Sequence, residues 1–278
     1  MAPSILIVGV TGNIGRSVTE TLPGLLKTSG PLSNHWVTAL TRSLDSSVAK
    51  ELAELPGIEM IRAKLGRNYP RVAREHEFAK STFHLAARQA NVEYVVKIST
   101  TAANVCPDSN SYYARSHWAV EALLASPEFE RMQWSSLQPN IFSQFYLAPA
   151  VEPIQHYRKT GERGTLKLIV VEHGPVSVID PDEVGVFVAH LLAQDDTTAH
   201  NKANTMIERR TGVKVNDVSY RDLAAREESK NVILSGKRAM GIVLDGKCAS
   251  STTSKEVLEL AAPKRTKADA LKTMLSEQ

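Results

Sequence analysis

Gly9-Val10-Thr11-Gly12-Asn13-Ile14-Gly15 follows four apolar residues, Ile5 to Val8, and runs into a segment of helical periodicity. In a strand–loop–helix of this kind one glycine makes a tight turn and one lets the backbone approach a pyrophosphate. A third lets the helix pack close on the strand. The phosphates would rest on free N–H groups at the helix start, where the dipole favours an anion. The expected cradle is Gly9, Thr11, Gly12, Asn13, Ile14 and Gly15. The spacing is G-x-x-G-x-x-G, not the commoner G-x-G-x-x-G, and a tight turn without a ligand is the alternative reading. A second chemical position is Thr41-Arg42-Ser43, at the end of the apolar run Trp36 to Leu40. An acid there would bind a ribose 2′-hydroxyl, whereas an arginine accommodates a 2′-phosphate. With Arg42 present and no acid before Asp45, NADP(H) is expected over NAD(H), a solvated loop arginine being the alternative.

These residues need alternating strands and helices to position them. Val18, Leu22, Leu25 and Leu26 lie at helical spacing, with Pro23-Gly24 predicting a kink or a stop. Ser47–Leu55 reads as a helix closed by Pro56-Gly57, and Ile58–Leu65 as a third strand. The next strand is Tyr94–Ile98, and only one helix, Glu75–Ala90, fits between them. No apolar run from Gly66 to Arg74 can serve as the strand that a doubly wound sheet would place there. Either the Tyr94–Ile98 strand moves into the vacant slot, or a piece of the sheet is missing, leaving backbone groups unpaired. Further on come a helix at Tyr112–Ala125 and strands at Trp134–Leu137, Leu166–Val171 and Pro175–Ile179. Asp180-Pro181-Asp182-Glu183 then opens a helix over Val184–Leu192. The more polar tail carries a candidate strand at Val213–Val218 and helices near Val232–Leu244, Ser254–Leu260 and Lys267–Leu275. The expected architecture is α/β, a doubly wound Rossmann-type parallel sheet (residues 1–150). A smaller α/β substrate or partner lobe (151–278) is interleaved with it.

The 278 residues are 42% hydrophobic and 23% charged, with a formal net charge of +3, as in an ordinary globular protein. No basic arm or zinc spacing is present, so direct nucleic-acid binding and a metal centre are not expected. Cys106 and Cys248 fit a reducing compartment without a disulfide framework. The apolar N-terminal run lacks the basic flank of a signal peptide, and no run approaches the ~20 residues that span a bilayer. A cytoplasmic protein, able also to reach the nucleus, is expected.

Several segments in order carry a resemblance: the glycine loop, the Arg42 site, Tyr94-Val95-Val96-Lys97-Ile98-Ser99, and Glu121. Trp134-Ser135-Ser136-Leu137-Gln138-Pro139-Asn140 and Val178-Ile179-Asp180 with Asp182-Glu183-Val184-Gly185 complete the set. Over about two-thirds of its length the chain resembles the NmrA-like family, an atypical branch of the short-chain dehydrogenases/reductases. Stretches such as Ala262-Pro263-Lys264-Arg265-Thr266 are similar to fungal members. The resemblance implies NADP(H) held by the glycine loop and Arg42, with Ser99, Thr100, His117, Pro139 and Asn140 completing the cofactor site. It also implies either reduction of a quinone-like or enone small molecule, or cofactor binding that reports redox state to a regulatory protein partner. Two departures are evident: a strand and loop after Leu65, and a strand and helix between Asn201 and Thr211, are absent. A remnant that binds no cofactor is therefore a third reading.

A typical short-chain reductase pairs a hydroxyl with a Tyr and a Lys four residues later. The Lys lowers the tyrosine pKa, and the Tyr donates a proton. Here Tyr113-Ala114-Arg115-Ser116-His117 places a histidine in the lysine slot, with Ser99, Thr100 or Thr101 as the hydroxyl. Residues i and i+4 share a helix face, so Tyr113 and His117 are the candidate catalytic pair. A histidine can bond a ribose or shuttle a proton near neutral pH, but depresses a tyrosine pKa less than an ammonium would. A Tyr113 that merely packs at a capped helix start is the alternative. A quinone asks less of such a pair than a ketone, because the cofactor supplies the hard chemistry. Lys97 and Arg115 read as solvated or ion-paired, and Cys106 as a thiol that is inert unless its pKa is lowered.

Overall fold

A computed structural model describes residues 4–28, 30–62, 74–163, 177–194 and 264–276. Strands β1 (Ser4–Val8), β2 (Trp36–Thr41) and β3 (Ile58–Arg62) form a parallel sheet in the order β1-β2-β3. The register pairs Ile5 with Val37 and Ile7 with Ala39, and Val37 with Ile58 and Ala39 with Met60. Residues paired this way share a face, so alternation along each strand builds one apolar surface. That surface packs on Val18, Leu22 and Leu26 of helix α1 (Asn13–Thr28) and on Leu52 of α2 (Ser47–Ala53).

Helix α1 does not stop at Pro23. An internal proline costs about 3 kcal/mol. Leu22 and Leu26, on either side of it, are buried in the core, and each contributes about 1.5–3 kcal/mol, enough to offset that loss.

Strand β4 (Tyr94–Ile98) pairs in parallel with β5 (Gln133–Leu137), and β6 (Ile141–Phe142) with β7 (Val178–Ile179). Among the described residues β4 does not join β1, so β4 does not move into the slot anticipated from the periodicity; the interval 66–73 lies outside the described residues. On the sheet face turned away from α1, Leu6 and Val8 are 50% and 52% exposed. Parallel sheets are normally covered on both faces, and among the described residues this face departs from that rule.

Helix α6 (Pro181–Ala193) lies along α1 and joins the two sheets: its Val188 and Ala189 share a core with Ile7, Val10 and Ala39, against which Val96, Ile98 and Leu137 also pack. Asp180 caps it, accepting from the Asp182 N–H at 2.9 Å. The crossing is close at Gly185, where a Cβ would stand 2.5 Å from Ser17 Cβ and 2.7 Å from the Ile14 carbonyl oxygen. Ser17 Oγ donates to the Asp182 carbonyl at 2.6 Å across the same seam.

On the other side, α3 (Arg74–Gln89) and α4 (Tyr112–Leu124) pack together, over a second core of Ala87, Val95, Val120, Leu124, Phe129, Met132 and Trp134. Helix α5 (Ser143–Thr160) carries the chain across residue 150 and ends at Gly161, whose φ of 74° makes the left-handed cap. It was not anticipated, because Pro149 and Pro153 punctuate its sequence. A final helix, α7 (Lys267–Ser276), packs on α5, and the preceding Arg265 donates to Asp180 Oδ2 and Asp182 Oδ2, both at 3.0 Å. The strands expected at 166–171 and 213–218, the helices at 232–244 and 254–260, Cys248 and the second shortening lie outside the described residues. No described helix is long and apolar enough to cross a membrane.

Candidate functional site

The glycine loop emerges from the carboxyl end of β1. Gly9 adopts φ 80°, a conformation that disfavours side chains, and its N–H donates to the Leu40 carbonyl on β2 at 3.3 Å. The first residue of the motif therefore makes the turn. Gly15 makes the close approach: a Cβ there would sit 2.2 Å from the Gly9 carbonyl oxygen and 2.9 Å from Val10 Cα. Gly12 differs, since an added Cβ would meet only the Gly9 oxygen, at 3.4 Å. Among the described residues nothing demands a glycine at position 12, which fits a residue kept small for a ligand lying over the loop. Thr11, Gly12 and Asn13 are exposed, while Ile14 and Gly15 are half-buried at the start of α1. Asn13 Nδ2 donates to Gln144 Oε1 of α5 at 2.8 Å, linking the loop to the segment after β5 and β6.

Arg42 follows β2 directly, past Leu40, which receives the Gly9 bond, and Thr41. It is exposed and, among the described residues, engaged in no ion pair. Arg16, next to the loop, is committed to Glu20 at 2.7 Å and Glu51 at 3.0 Å. Of these two arginines, Arg42 is the one available to an added anion.

At the end of β4, Ser99 is buried, with its N–H donating to the Leu137 carbonyl at 2.8 Å, and Thr100 is half-buried. Thr101 Oγ1 donates to Asn140 Oδ1 at 2.9 Å, bringing together the segments that follow β4 and β5. Pro139 is buried and Asn140 half-buried beside it. Ser111 caps α4 by accepting from the Ala114 N–H, and thereby sets Tyr113 and His117 on one face. Their rings meet edge to face with centroids 4.7 Å apart. Burial pushes the Tyr113 phenol up from its ordinary value, so it stays protonated at neutral pH.

Below this pair lies a charged network. Lys97 Nζ stands 3.0 Å from Glu121 Oε1 and 3.2 Å from His117 Nδ1. Ser99 Oγ donates to Glu121 Oε1 and lies 3.2 Å from His117 Nδ1. Ser136 Oγ donates to Glu121 Oε1 at 2.6 Å, and Gln138 Nε2 to Glu121 Oε2 at 2.9 Å. Four donors thus hold one buried carboxylate. Burial lowers the Lys97 pKa, and the Glu121 charge and hydrogen bond oppose that shift. Lys97 is ion-paired, as one of the two sequence readings had it, but it is not solvated. The detectable signal was a lysine between Val96 and Ile98 in an otherwise apolar strand. Arg115 is also buried, its guanidinium donating to the Ser109 carbonyl. Cys106 is half-buried and its thiol is pushed up to about 11, chiefly by burial and then by Asp108, so it is not an activated thiol.

No protein-family sequence model matches this chain, and no curated protein matches it by sequence. Solved structures do. The triphenylmethane reductase of Citrobacter sp., complexed with NADP(H), is 15% identical and aligns over 96% of this chain and 99% of its own, with a TM-score of 0.59. An NADPH-dependent quinone oxidoreductase from Escherichia coli, complexed with NADPH, is 17% identical over 98% and 99%, at 0.60. NmrA, a negative transcriptional regulator in complex with NADP, is 13% identical over 99% and 96%, at 0.62.

This chain has their fold. It is the Rossmann-type α/β architecture implied by the NmrA-like resemblance. In open α/β sheets ligands bind beyond the carboxyl ends of the strands. The glycine loop, Arg42, Ser99–Thr101 and Pro139–Asn140 each follow such an end. Asn13–Gln144, Thr101–Asn140 and Ser99–His117 contacts connect them.

Proposed function

We propose that this protein is an NADPH-dependent oxidoreductase that reduces a small quinone-like or enone acceptor. The observation that carries the reading is the gathering, at the strand ends, of a glycine loop with room over Gly12, an uncommitted Arg42, and the Tyr113–His117 pair. In this reading Gly9, Thr11, Gly12, Asn13, Ile14 and Gly15 hold the pyrophosphate, and Arg42 holds the 2′-phosphate. Ser99, Thr100, His117, Pro139 and Asn140 line the nicotinamide half. The bound cofactor supplies the hydride. Tyr113, kept as a phenol by burial, donates a hydrogen bond to the acceptor oxygen. The Lys97 ammonium is paired with Glu121, so it does not stand ready to turn Tyr113 into a strong acid. That restricts the acceptor to molecules that take hydride readily, and two proteins of this fold are described as a quinone oxidoreductase and a dye reductase.

The test is loss of NADPH absorbance with a panel of quinones, alongside calorimetric titration of the cofactor. Turnover of at least one quinone is expected. Binding without turnover of any of them would favour the second reading, a redox sensor that holds NADP(H) and acts on a regulatory protein. The compensated Lys97 and the regulator NmrA in complex with NADP both speak for that alternative. No cofactor binding at all would eliminate both.

A further inference from the structure

A buried histidine is defined by which ring nitrogen carries the proton, and its neighbours decide that. His117 is 2% exposed. Around its Nδ1 stand the Lys97 ammonium at 3.2 Å and the Ser99 hydroxyl at 3.2 Å. A charged lysine has only donors. The Ser99 proton is committed to Glu121 Oε1. Glu121 receives hydrogen bonds from Lys97, Ser99, Ser136 and Gln138, so each of these contacts presents a donor to its carboxyl oxygens. Its Oε1 stands 3.0 Å from Lys97 Nζ, an ion-pair contact that favours the ammonium against the effect of burial. Among the described residues, the charged and titratable groups around the ring include Lys97 from β4 and Tyr113 from its own helix, with Glu121 one contact farther through Lys97 and Ser99.

We propose that Lys97, held by Glu121, is a positioning residue that occupies Nδ1 of His117 and fixes the imidazole as the neutral Nε2–H tautomer. A second proton cannot enter at Nδ1 without displacing the ammonium, so His117 is a fixed hydrogen-bond donor and not a proton shuttle. The tautomer belongs to the protein itself. Its use, a hydrogen bond to ribose or to an oxyanion on the acceptor, rests on the reductase reading. The inference narrows that reading to acceptors whose reduction needs a hydrogen bond from His117 but no proton from it.

The tautomer is read without cofactor, by ¹H–¹⁵N correlation through the ring carbons of ¹⁵N-histidine-labelled full-length protein. His117→Gln assigns the signal. The expected spectrum has an unprotonated, acceptor-type Nδ1 and a protonated Nε2, unchanged between about pH 5 and 8. A protonated Nδ1, or a ring that titrates in that interval, overturns the proposal in the unmodified protein, whether or not any variant folds. In Glu121→Gln the ammonium loses its counter-charge and Lys97 becomes a neutral amine able to accept. The proton is then expected on Nδ1, a change that loss of packing alone would not produce. A folded Glu121→Gln protein with the original tautomer would remove Lys97 as the cause. Failure of NADPH binding would leave these spectra unaffected, so the two readings fail separately.

Discussion

Lys97 and Glu121, from β4 and α4, form an ion pair of 3.0 Å in which both side chains are 4% exposed. Removing one member of a buried pair strands the other charge, at a cost of about 3–5 kcal/mol. Lys97→Met and Glu121→Leu are each expected to destabilise by about that amount, Glu121→Leu more, because Ser99, Ser136 and Gln138 also lose their acceptor. The double variant should be no less stable than Glu121→Leu alone. Urea denaturation decides it, and strictly additive losses would contradict a coupled pair.

The glycine motif separates into positions required by the fold and one kept for a ligand. Gly15→Ala forces a Cβ against the Gly9 carbonyl and is expected to cost about 1–3 kcal/mol, by the usual measure of overpacking. Gly12→Ala fits the protein and should keep its melting temperature while losing most of its NADPH affinity. If Gly12→Ala binds as the parent does, no ligand passes over that position.

Arg42→Ala should discriminate between the two nicotinamide cofactors. A hydrogen bond to a charged group is worth about 1.5–3 kcal/mol, so NADPH binding should weaken roughly 10- to 100-fold and NADH binding much less. Calorimetric titration with both checks it. Equal losses would take the selectivity away from Arg42.

Cys106 has a pH signature. Its thiol lies at about 11 against an ordinary 9.0, so at pH 8 the folded protein holds about a hundredfold less thiolate than a free cysteine. In a Cys248→Ser background, iodoacetamide should react with the folded protein at least that much more slowly than with the urea-unfolded chain. The raised value also has a sign in stability. The folded state retains the proton longer, so this contribution is whole below pH 9 and declines as the pH rises towards 11. Equal alkylation rates in the two states would remove the burial argument.

Much of the scaffold was legible because its signals are local. The apolar runs of β1, β2 and β4 match their strands closely, and Asp180-Pro181 announces the start of α6 by cap chemistry. The contact between Tyr113 and His117 follows from i and i+4 geometry. Tertiary packing overrode the local signal at Pro23, where buried leucines keep α1 whole, and in α5, which accommodates Pro149 and Pro153. The Lys97–Glu121 pair was illegible for another reason. The two residues are 24 positions apart, and no periodicity tells which buried acid answers a buried base. That β4 stays out of the β1 sheet answers one of the two alternatives the sequence left open.

Because β1 and β4 share no ladder among the described residues, the separation between the glycine loop and the Ser99–His117 cluster depends on packing, with the α1–α6 seam, where Gly185 meets Ser17, among the contacts that set it. A sheet ladder transmits position in fixed steps of register, whereas two helices in contact can slide by fractions of an ångström. The seam thus acts as an adjustable ruler between the two halves of the cleft. A methyl group added at position 185 would lengthen it, and misalign the halves without altering a residue in either.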